Sequence, residues 1–172
     1  MGLGKALGFS LLGYIGLNFL FVIIDETISG NLNLLFGDIS SYPLIILLIF
    51  FAPIISMPGA VFSSIFAQIY LGMIGSMLIQ SIGFVISPFV ASVIAGRTGE
   101  KKGGSFGGWM ITTTISAAVL GVLAFISPTT LSYYGITVTD PTLLLITFLI
   151  SGALNGVFYG CFSLLFTKEE MY

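Results

Sequence analysis

The sequence contains no histidine and only one cysteine, Cys161. Without histidine the chain lacks the commonest metal ligand and the side chain most often used as a general base. A single cysteine cannot form an intrachain disulfide or build a cysteine-based zinc site. These two absences argue against zinc sites and histidine-dependent catalysis.

Charged residues are also scarce, at 7% of the 172 residues, whereas a soluble domain has roughly 25%. Hydrophobic residues make up 56% of the chain, and the mean hydropathy is +1.12. Because such a composition cannot cover a water-soluble surface, we predict one integral membrane domain over residues 1–172, with an all-α fold. The net charge of −2 gives no basic patch, so nucleic acid is not an expected partner.

One uninterrupted stretch without charge, residues 39–96, dominates the chain. As continuous helix these 58 residues would extend about 87 Å, close to three hydrocarbon thicknesses of about 30 Å. The stretch therefore contains either three closely connected spans, or one span and a re-entrant hairpin. We predict three, which makes a polytopic bundle of six spans, and four spans plus a re-entrant hairpin is the alternative.

The six spans are expected at residues 6–24, 43–57, 60–76, 80–96, 110–126 and 142–166. Pro53 is expected to kink the second span, because proline removes a backbone hydrogen bond. Met57, Pro58 and Gly59 should form the turn that follows it. The glycine-rich segment from Gly96 to Trp109 is expected to be a flexible hydrophilic loop, with Trp109 at the lipid headgroup level.

Lysine and arginine collect in cytoplasmic loops, and this rule gives the expected orientation. With six spans, one side holds all five basic residues: Lys5, Arg97, Lys101, Lys102 and Lys168. Both termini are therefore predicted to be cytoplasmic, in a multi-pass protein of the cell membrane. Arg97, Lys101 and Lys102 would set this topology or bind the headgroups of membrane lipids.

Small residues recur at every fourth position of several spans, which places them on one helical face. Gly152, Gly156 and Gly160 form such a face on the last span, and Ala91 and Ala95 belong to one on the fourth. Small residues allow helix backbones to approach closely in a membrane. These faces are predicted to pack helices within the chain, or else to dock other membrane subunits or a second copy.

No Asp, Glu, Lys, Arg or His falls within the predicted spans, although proton-coupled transporters and voltage sensors ordinarily carry such a residue there. No set of catalytic residues can be assembled either, so we predict no enzymatic activity and no cofactor. Among the uncharged polar residues, Gln68, Asn155 and Thr113 are the candidates for lining a cavity. The alternative role of these three residues is hydrogen bonding between helices.

Two family resemblances accompany these patterns. Residues 85–123, VISPFVASVIAGRTGEKKGGSFGGWMITTTISAAVLGVL, look like small archaeal membrane proteins of unknown function, which place similar glycines around a short hydrophilic loop. The overall plan is similar to the substrate-capturing S-components of energy-coupling-factor transporters. In that family a pair of small residues on the first span contacts the coupling subunit, and Ala6 and Ser10 match that pair here.

Two functions are consistent with the sequence. The first is a non-catalytic transport component that holds a small neutral solute in a cavity under residues 25–42 and 127–140. The second is a structural or assembly subunit of a larger membrane complex. A cavity lined by Gln68, Asn155 and Thr113 would favour the first function, whereas a solid interior with an outward-facing stripe of small residues would favour the second.

Overall fold

The computed structural model describes residues 2–133 and 135–168, and every regular element in these ranges is helical. The α-helices are α1 (Gly2–Ile28), α2 (Leu32–Ser41), α3 (Ile45–Phe51), α4 (Pro58–Tyr70), α5 (Ser76–Thr98), α6 (Lys102–Ile126), α7 (Pro128–Tyr133) and α8 (Pro141–Leu165). A short 3-10 helix, Ala52–Ile55, follows α3 directly.

Four of these helices, α1, α5, α6 and α8, are long and apolar enough to cross a membrane. They contain 23 to 27 residues each, or about 35 to 40 Å of helix, which exceeds a hydrocarbon core of about 30 Å. The predicted all-α membrane bundle is confirmed at this level. The first, fourth, fifth and sixth predicted spans each lie on one of these helices.

The long helices pack in antiparallel pairs through small residues. In the first pair, a Cβ atom added to Gly13 of α1 would lie 2.7 Å from Ile94 Cδ1 of α5. In the second pair, a Cβ atom on Gly152 of α8 would lie 2.7 Å from the Cβ atom of Ala117 on α6. Since α1 also packs against α6, the two pairs form one bundle.

This packing places all five basic residues at one end of the bundle, together with Glu100, and the other described acidic residues at the opposite end. The basic end holds Lys5, Arg97, Lys101, Lys102 and Lys168, while the acidic end holds Asp25, Glu26, Asp38 and Asp140. At the basic end, Lys5 Nζ lies 2.8 Å from Glu100 Oε1, which lowers the pKa of the Glu100 carboxyl group. The Arg97 guanidinium group lies 5.7 Å from the ring centre of Phe166, just after α8.

The middle of the chain differs from the six-span expectation. In place of two spans at residues 43–57 and 60–76, it contains the helical segment Ile45–Ile55 and the helix α4, which meet at an angle of 94°. These pieces are about 16 and 20 Å long, so neither reaches across a 30 Å hydrocarbon core. We call the segment from Ile45 to Tyr70 the broken hairpin.

Both ends of the broken hairpin lie near the acidic end. It follows α2, which begins just after the last turn of α1, and it leads into the first turn of α5. Phe21 of α1 packs beside Gly83 of α5, where an added Cβ atom would lie 2.7 Å from the Phe21 ring, so the start of α5 is level with the end of α1. The hairpin therefore enters and leaves the bundle on the same side.

The glycine-rich segment before Trp109 is helical, which corrects the expected flexible loop. Helix α6 begins at Lys102, and a Cβ atom on Gly108 would lie 2.5 Å from that of Ala6. The missing side chains here admit α1 at close range. Trp109 is fully buried and makes edge-to-face contacts with Tyr14 and Tyr159, so it belongs to the core, where a lipid headgroup position had been expected.

Candidate functional site

Proline residues determine where the broken hairpin loses its helical form. Pro53 has no N–H, so the carbonyl of Ile49, four residues earlier, lacks its usual helical donor. The chain tightens there into the 3-10 helix, and Ser56 and Met57 are then extended before Pro58 starts α4. At Pro53 the chain changes from α-helix to 3-10 helix, and the 94° bend follows at Ser56 and Met57. The turn predicted at Met57, Pro58 and Gly59 begins earlier than expected, because Pro58 and Gly59 already belong to α4.

Residues 50–57, which we call the hairpin tip, lie at the middle of the bundle. Asn18 contacts the tip from ten residues before the end of α1, or about 15 Å of helix. Asn155 contacts it from fourteen residues after the start of α8, or about 21 Å. Both distances are measured from the acidic end, and each reaches about the midpoint of its helix.

Buried polar side chains bind carbonyl groups of the tip, beginning where α3 changes into the 3-10 helix. From α1, Asn18 Nδ2 donates to the Phe50 carbonyl, and the Tyr14 hydroxyl lies 3.5 Å from the Phe51 carbonyl. Non-helical backbone at membrane depth is tolerated where protein surrounds it and supplies such partners.

Helix α8 supplies the remaining partners of the tip. Ser151 Oγ lies 3.1 Å from the Ile54 carbonyl oxygen, and Asn155 Nδ2 lies 2.9 Å from the same atom. Asn155 Nδ2 also donates to the Ser56 carbonyl at 3.1 Å. The tip is therefore held from two sides, by α1 and by α8.

An outer cavity of about 610 Å³ lies at the acidic end, between the last turn of α1, helix α2 and the start of α5. Its polar lining comes from Glu26, Asn31, Asp38 and Gln80. Leu34, Leu35 and Ile45 supply its apolar lining. This volume falls within the range of about 300–1,000 Å³ that is typical of small-molecule sites.

A second, much smaller cavity, the inner chamber, adjoins the hairpin tip and has a volume of about 20 Å³. Its walls come from α1, the broken hairpin and α5, and they include Asn18, Ile49, Pro53 and Gly83. Gln80 lines both the inner chamber and the outer cavity. This one side chain therefore lies between the two spaces.

The three expected cavity residues lie apart from one another, and none lines either of these two cavities. Gln68 joins α4 to α5, with its Nε2 atom 2.8 Å from Ser64 Oγ and 3.0 Å from Ser81 Oγ. Thr113 is fully buried, and its hydroxyl group donates to the Met110 carbonyl within α6. Asn155 binds the hairpin tip, as described above.

The glycines predicted on the last span all face α6. A Cβ atom on Gly156 would lie 2.6 Å from Met110 Sδ and 2.7 Å from Thr113 Oγ1. One on Gly160 would lie 2.6 Å from the ring of Phe106. Gly152 contacts Ala117 as already noted, and the other two predicted packing residues, Ala91 and Ala95 of α5, are fully buried.

Ala6 and Ser10 do not form the docking surface that the transporter resemblance implies. Both residues are fully buried, and Ser10 Oγ lies 2.8 Å from Thr112 Oγ1 of α6. Ala6 packs against Gly108 of the same helix. Because α6 covers this face of α1, it is not available to a partner subunit.

The sequence pattern did not single out Asn18, Ser151, Gln80, Glu26 or Asp38 as site residues. Two of them carried a usable signal, since Asn18 and Gln80 are amides inside apolar stretches and such groups need partners in a membrane. The two carboxylates could not be assigned, because their proximity depends on how α2 folds back over the end of α1.

The fold and these cavities define a multi-pass helical membrane protein with a broken hairpin in its core. No protein-family model, curated protein or solved structure matches the chain. Its function is therefore inferred from its residues and their geometry.

Proposed function

We propose that the protein is a non-catalytic component of a membrane transport system, and that it binds a small solute in the outer cavity. The observation that carries this proposal is the position of the outer cavity. The cavity opens at the acidic end and adjoins a hairpin whose tip, where the α-helix is interrupted, reaches the middle of the bundle. Transport proteins use broken helices at membrane depth beside their binding sites.

The lining of the outer cavity suggests the chemistry of the solute. Glu26 and Asp38 carry carboxylates, which when ionised only accept hydrogen bonds, and Asn31 and Gln80 can both donate and accept. A solute that offers hydroxyl or amino donors fits these groups best, and an anion fits them poorly. The expectation of a neutral solute thus widens to neutral or positively charged solutes that are rich in donors.

The topology belongs to the same proposal. We place four spans across the cell membrane, and the broken hairpin re-enters from the acidic end. The basic end then faces the cytoplasm. The pairing of α1 with α5 supports this arrangement, because it puts the end of α5 beside the start of α1. The C-terminal residues 169–172 lie outside the described residues.

A structural or assembly subunit is the second candidate, and one observation favours it. Gly4 and Gly8 form a small-residue pair on the exposed face of α1, where an added Cβ atom would meet nothing within 4 Å. Such pairs allow close contact between membrane helices. A partner subunit or a second copy of the chain could pack there, within the lipid.

Removing both carboxylates should abolish solute capture. In the double variant Glu26→Gln, Asp38→Asn, we expect binding to weaken by at least about 100-fold, because two hydrogen bonds to charged groups are affected and each is worth about 1.5–3 kcal/mol. Native mass spectrometry from mild detergent measures this as loss of a small-molecule adduct that the unaltered protein retains. Asn33→Ala, on the exposed part of α2 outside the cavity lining, is the matched control and should keep the adduct.

Two results would count against solute binding. Unaltered protein that carries no small molecule, and whose melting temperature responds to no hydroxylated or amino compound, would contradict the transport proposal. A stoichiometric membrane protein that co-purifies and is lost in Gly8→Leu would favour the assembly subunit instead.

A further inference from the structure

The buried core of the bundle differs between its two halves. Around the hairpin it is aliphatic, with Leu48, Ile54 and Leu120 fully buried. Towards the basic end, the buried residues of the four long helices are instead glycine, alanine, serine, threonine, asparagine and proline, together with three aromatic residues. No leucine, isoleucine, valine, methionine or phenylalanine is buried within residues 2–14, 88–98, 102–113 and 155–165. We call this part of the core the hydroxyl-rich half.

Within the hydroxyl-rich half, α1 and α6 meet along a line of small side chains that carries hydroxyl groups from both helices. Ser10 Oγ of α1 lies 2.8 Å from Thr112 Oγ1 of α6. One turn closer to the basic end, a Cβ atom added to Gly108 would lie 2.5 Å from the Cβ atom of Ala6. We call these four residues the α1/α6 seam. Since none of them inserts a large side chain into the facing helix, the two helices can part here without unlocking interdigitated side chains.

The α1/α6 seam is also a boundary between the two helix pairs of the bundle. The contact of α6 with α8 and that of α1 with α5 are both more extensive than the contact of α1 with α6. When packed units of this kind move as rigid bodies, the change occurs at the interface between them. A movement of one pair relative to the other would therefore open the bundle along the seam.

Two polar atoms, one in the hydroxyl-rich half and one directly next to it, are buried without a hydrogen-bond partner among the described residues. They are Trp109 Nε1, which follows Gly108 on α6, and Ser87 Oγ of α5, and both residues are 0% exposed. A buried polar group that lacks a partner costs about 1–3 kcal/mol. The closed packing carries this cost, and contact with water or with a polar solute would remove it.

Opening the hydroxyl-rich half to water would expose few aliphatic groups. Because exposing apolar surface costs about 25 cal/mol per Å², an aliphatic core such as the one around the hairpin resists hydration. Hydroxyl and amide groups form hydrogen bonds with water instead. The composition of this half therefore suits a route that is closed in one state and wet in another.

We propose that the protein itself carries its solute across the membrane, and that the hydroxyl-rich half opens to the basic end along the α1/α6 seam. The outer cavity is then the entrance on the acidic side, and the seam is the exit, which is closed in this structure. This inference rests on the proposed function, since it supplies a route for the solute that the outer cavity captures. A solute rich in hydroxyl or amino donors also fits the hydroxyl oxygens of Ser10 and Thr112 along this route.

Two adjacent threonines of α6 test this inference, because they lie at the same depth on different faces of the helix. Thr112 faces Ser10 across the seam, whereas Thr113 faces α8, where a Cβ atom on Gly156 would lie 2.7 Å from its Oγ1 atom. Both threonines are 0% exposed. In a Cys161→Ser background, Thr112→Cys and Thr113→Cys are treated in sealed vesicles with a small membrane-impermeant thiol reagent. The reagent is applied to the face from which Gly103→Cys, at the basic end, is labelled.

We expect Thr112→Cys to react at least about tenfold faster than Thr113→Cys, because even a minor open population exposes the seam and leaves the contact between α6 and α8 closed. Ser10→Cys, on the other side of the seam, should react like Thr112→Cys and is the second reporter if that variant does not fold. Unchanged melting temperatures in detergent show that the compared variants are folded.

Two results would overturn the inference. If neither Thr112→Cys nor Ser10→Cys reacts from the basic end, the seam does not open. If Thr112→Cys and Thr113→Cys react equally fast, the bundle loosens in general and not along the seam. Neither result affects the solute adduct of the outer cavity, so mass spectrometry distinguishes failure of this inference from failure of the proposed function.

Discussion

Gly156→Leu should lower the free energy of unfolding by about 2–3 kcal/mol, because it forces a large side chain into the contact between α6 and α8. A Cβ atom alone would already lie 2.6 Å from Met110 Sδ and 2.7 Å from Thr113 Oγ1. Leucine adds three further carbons, and since Thr113 is fully buried there is no free space for them. Met110 and Thr113 would have to change their side-chain conformations, or α6 and α8 would have to move apart at a contact that also includes Gly152 and Gly160.

The same substitution on the exposed face of α1 provides the control. Gly4 and Gly8 have nothing within 4 Å of an added Cβ atom, so Gly8→Leu should leave the bundle about as stable as before. Leucine has a higher helix propensity than glycine, which offsets small losses. Unfolding by sodium dodecyl sulfate titration in mixed micelles measures both variants. Equal stability of Gly156→Leu and Gly8→Leu would show that α8 does not pack closely on α6.

Asn155→Leu should destabilise the bundle by about 2–4 kcal/mol, because it removes the donor that binds the hairpin tip from α8. Leucine has the same branched arrangement of four heavy atoms and leaves no cavity, so the effect comes mainly from the lost hydrogen bonds. The Ser56 carbonyl would lose the bond at 3.1 Å, and the Ile54 carbonyl would keep only the bond from Ser151. We expect the tip to loosen before the four long helices separate, so amide hydrogen exchange should rise first in residues 54–57.

Ser151→Ala should destabilise the bundle less than Asn155→Leu, because Asn155 still donates a hydrogen bond to the Ile54 carbonyl in that variant. Its cost should be about 1 kcal/mol or less, typical of a single hydrogen bond. The double variant should lose more than the sum of the two single losses, since no donor from α8 then reaches the tip. A double variant as stable as Asn155→Leu alone would mean that these two side chains do not share one role.

Much of this fold could be read from the sequence because composition and proline chemistry act locally. The lack of charge required a membrane bundle, and Pro53 and Pro58 marked where the helix breaks. The segregation of charge was also readable, since all five basic residues lie at one end of the bundle. What the apolar stretch did not reveal was the depth that each half of the hairpin reaches, because hydrophobicity is the same for a short buried helix and a short span.

Glycine and tryptophan were misread for a related reason. Gly104, Gly107 and Gly108 resemble a flexible linker in sequence, but the close approach of α1 explains them. Trp109 resembles an interfacial anchor, although it is buried between Tyr14 and Tyr159. In each case the explanation is a contact with a helix that is distant in sequence, and local pattern does not contain that information.

The candidate site was the part of the structure that could least be predicted from the sequence. Asn155 was recognised as an amide that needs a partner, but its partners are carbonyl groups of a hairpin tip about a hundred residues away. The outer cavity depends on α2, which brings Asp38 towards Glu26. Such sites arise from topology, so a sequence can nominate polar residues within apolar stretches without assigning them to the same site.

The most direct test of the account is the accessibility of Gly59, next to the hairpin tip. In a Cys161→Ser background, Gly59→Cys is probed with a membrane-impermeant thiol reagent applied separately to each face of sealed vesicles. Asn33→Cys and Gly103→Cys mark the acidic and basic ends, and all three positions are exposed in the bundle. A re-entrant hairpin predicts that the Gly59→Cys protein is not labelled from the side that labels the Gly103→Cys protein. Labelling of these two variants from the same side would instead show that the hairpin crosses the membrane as two full spans, and would contradict the account.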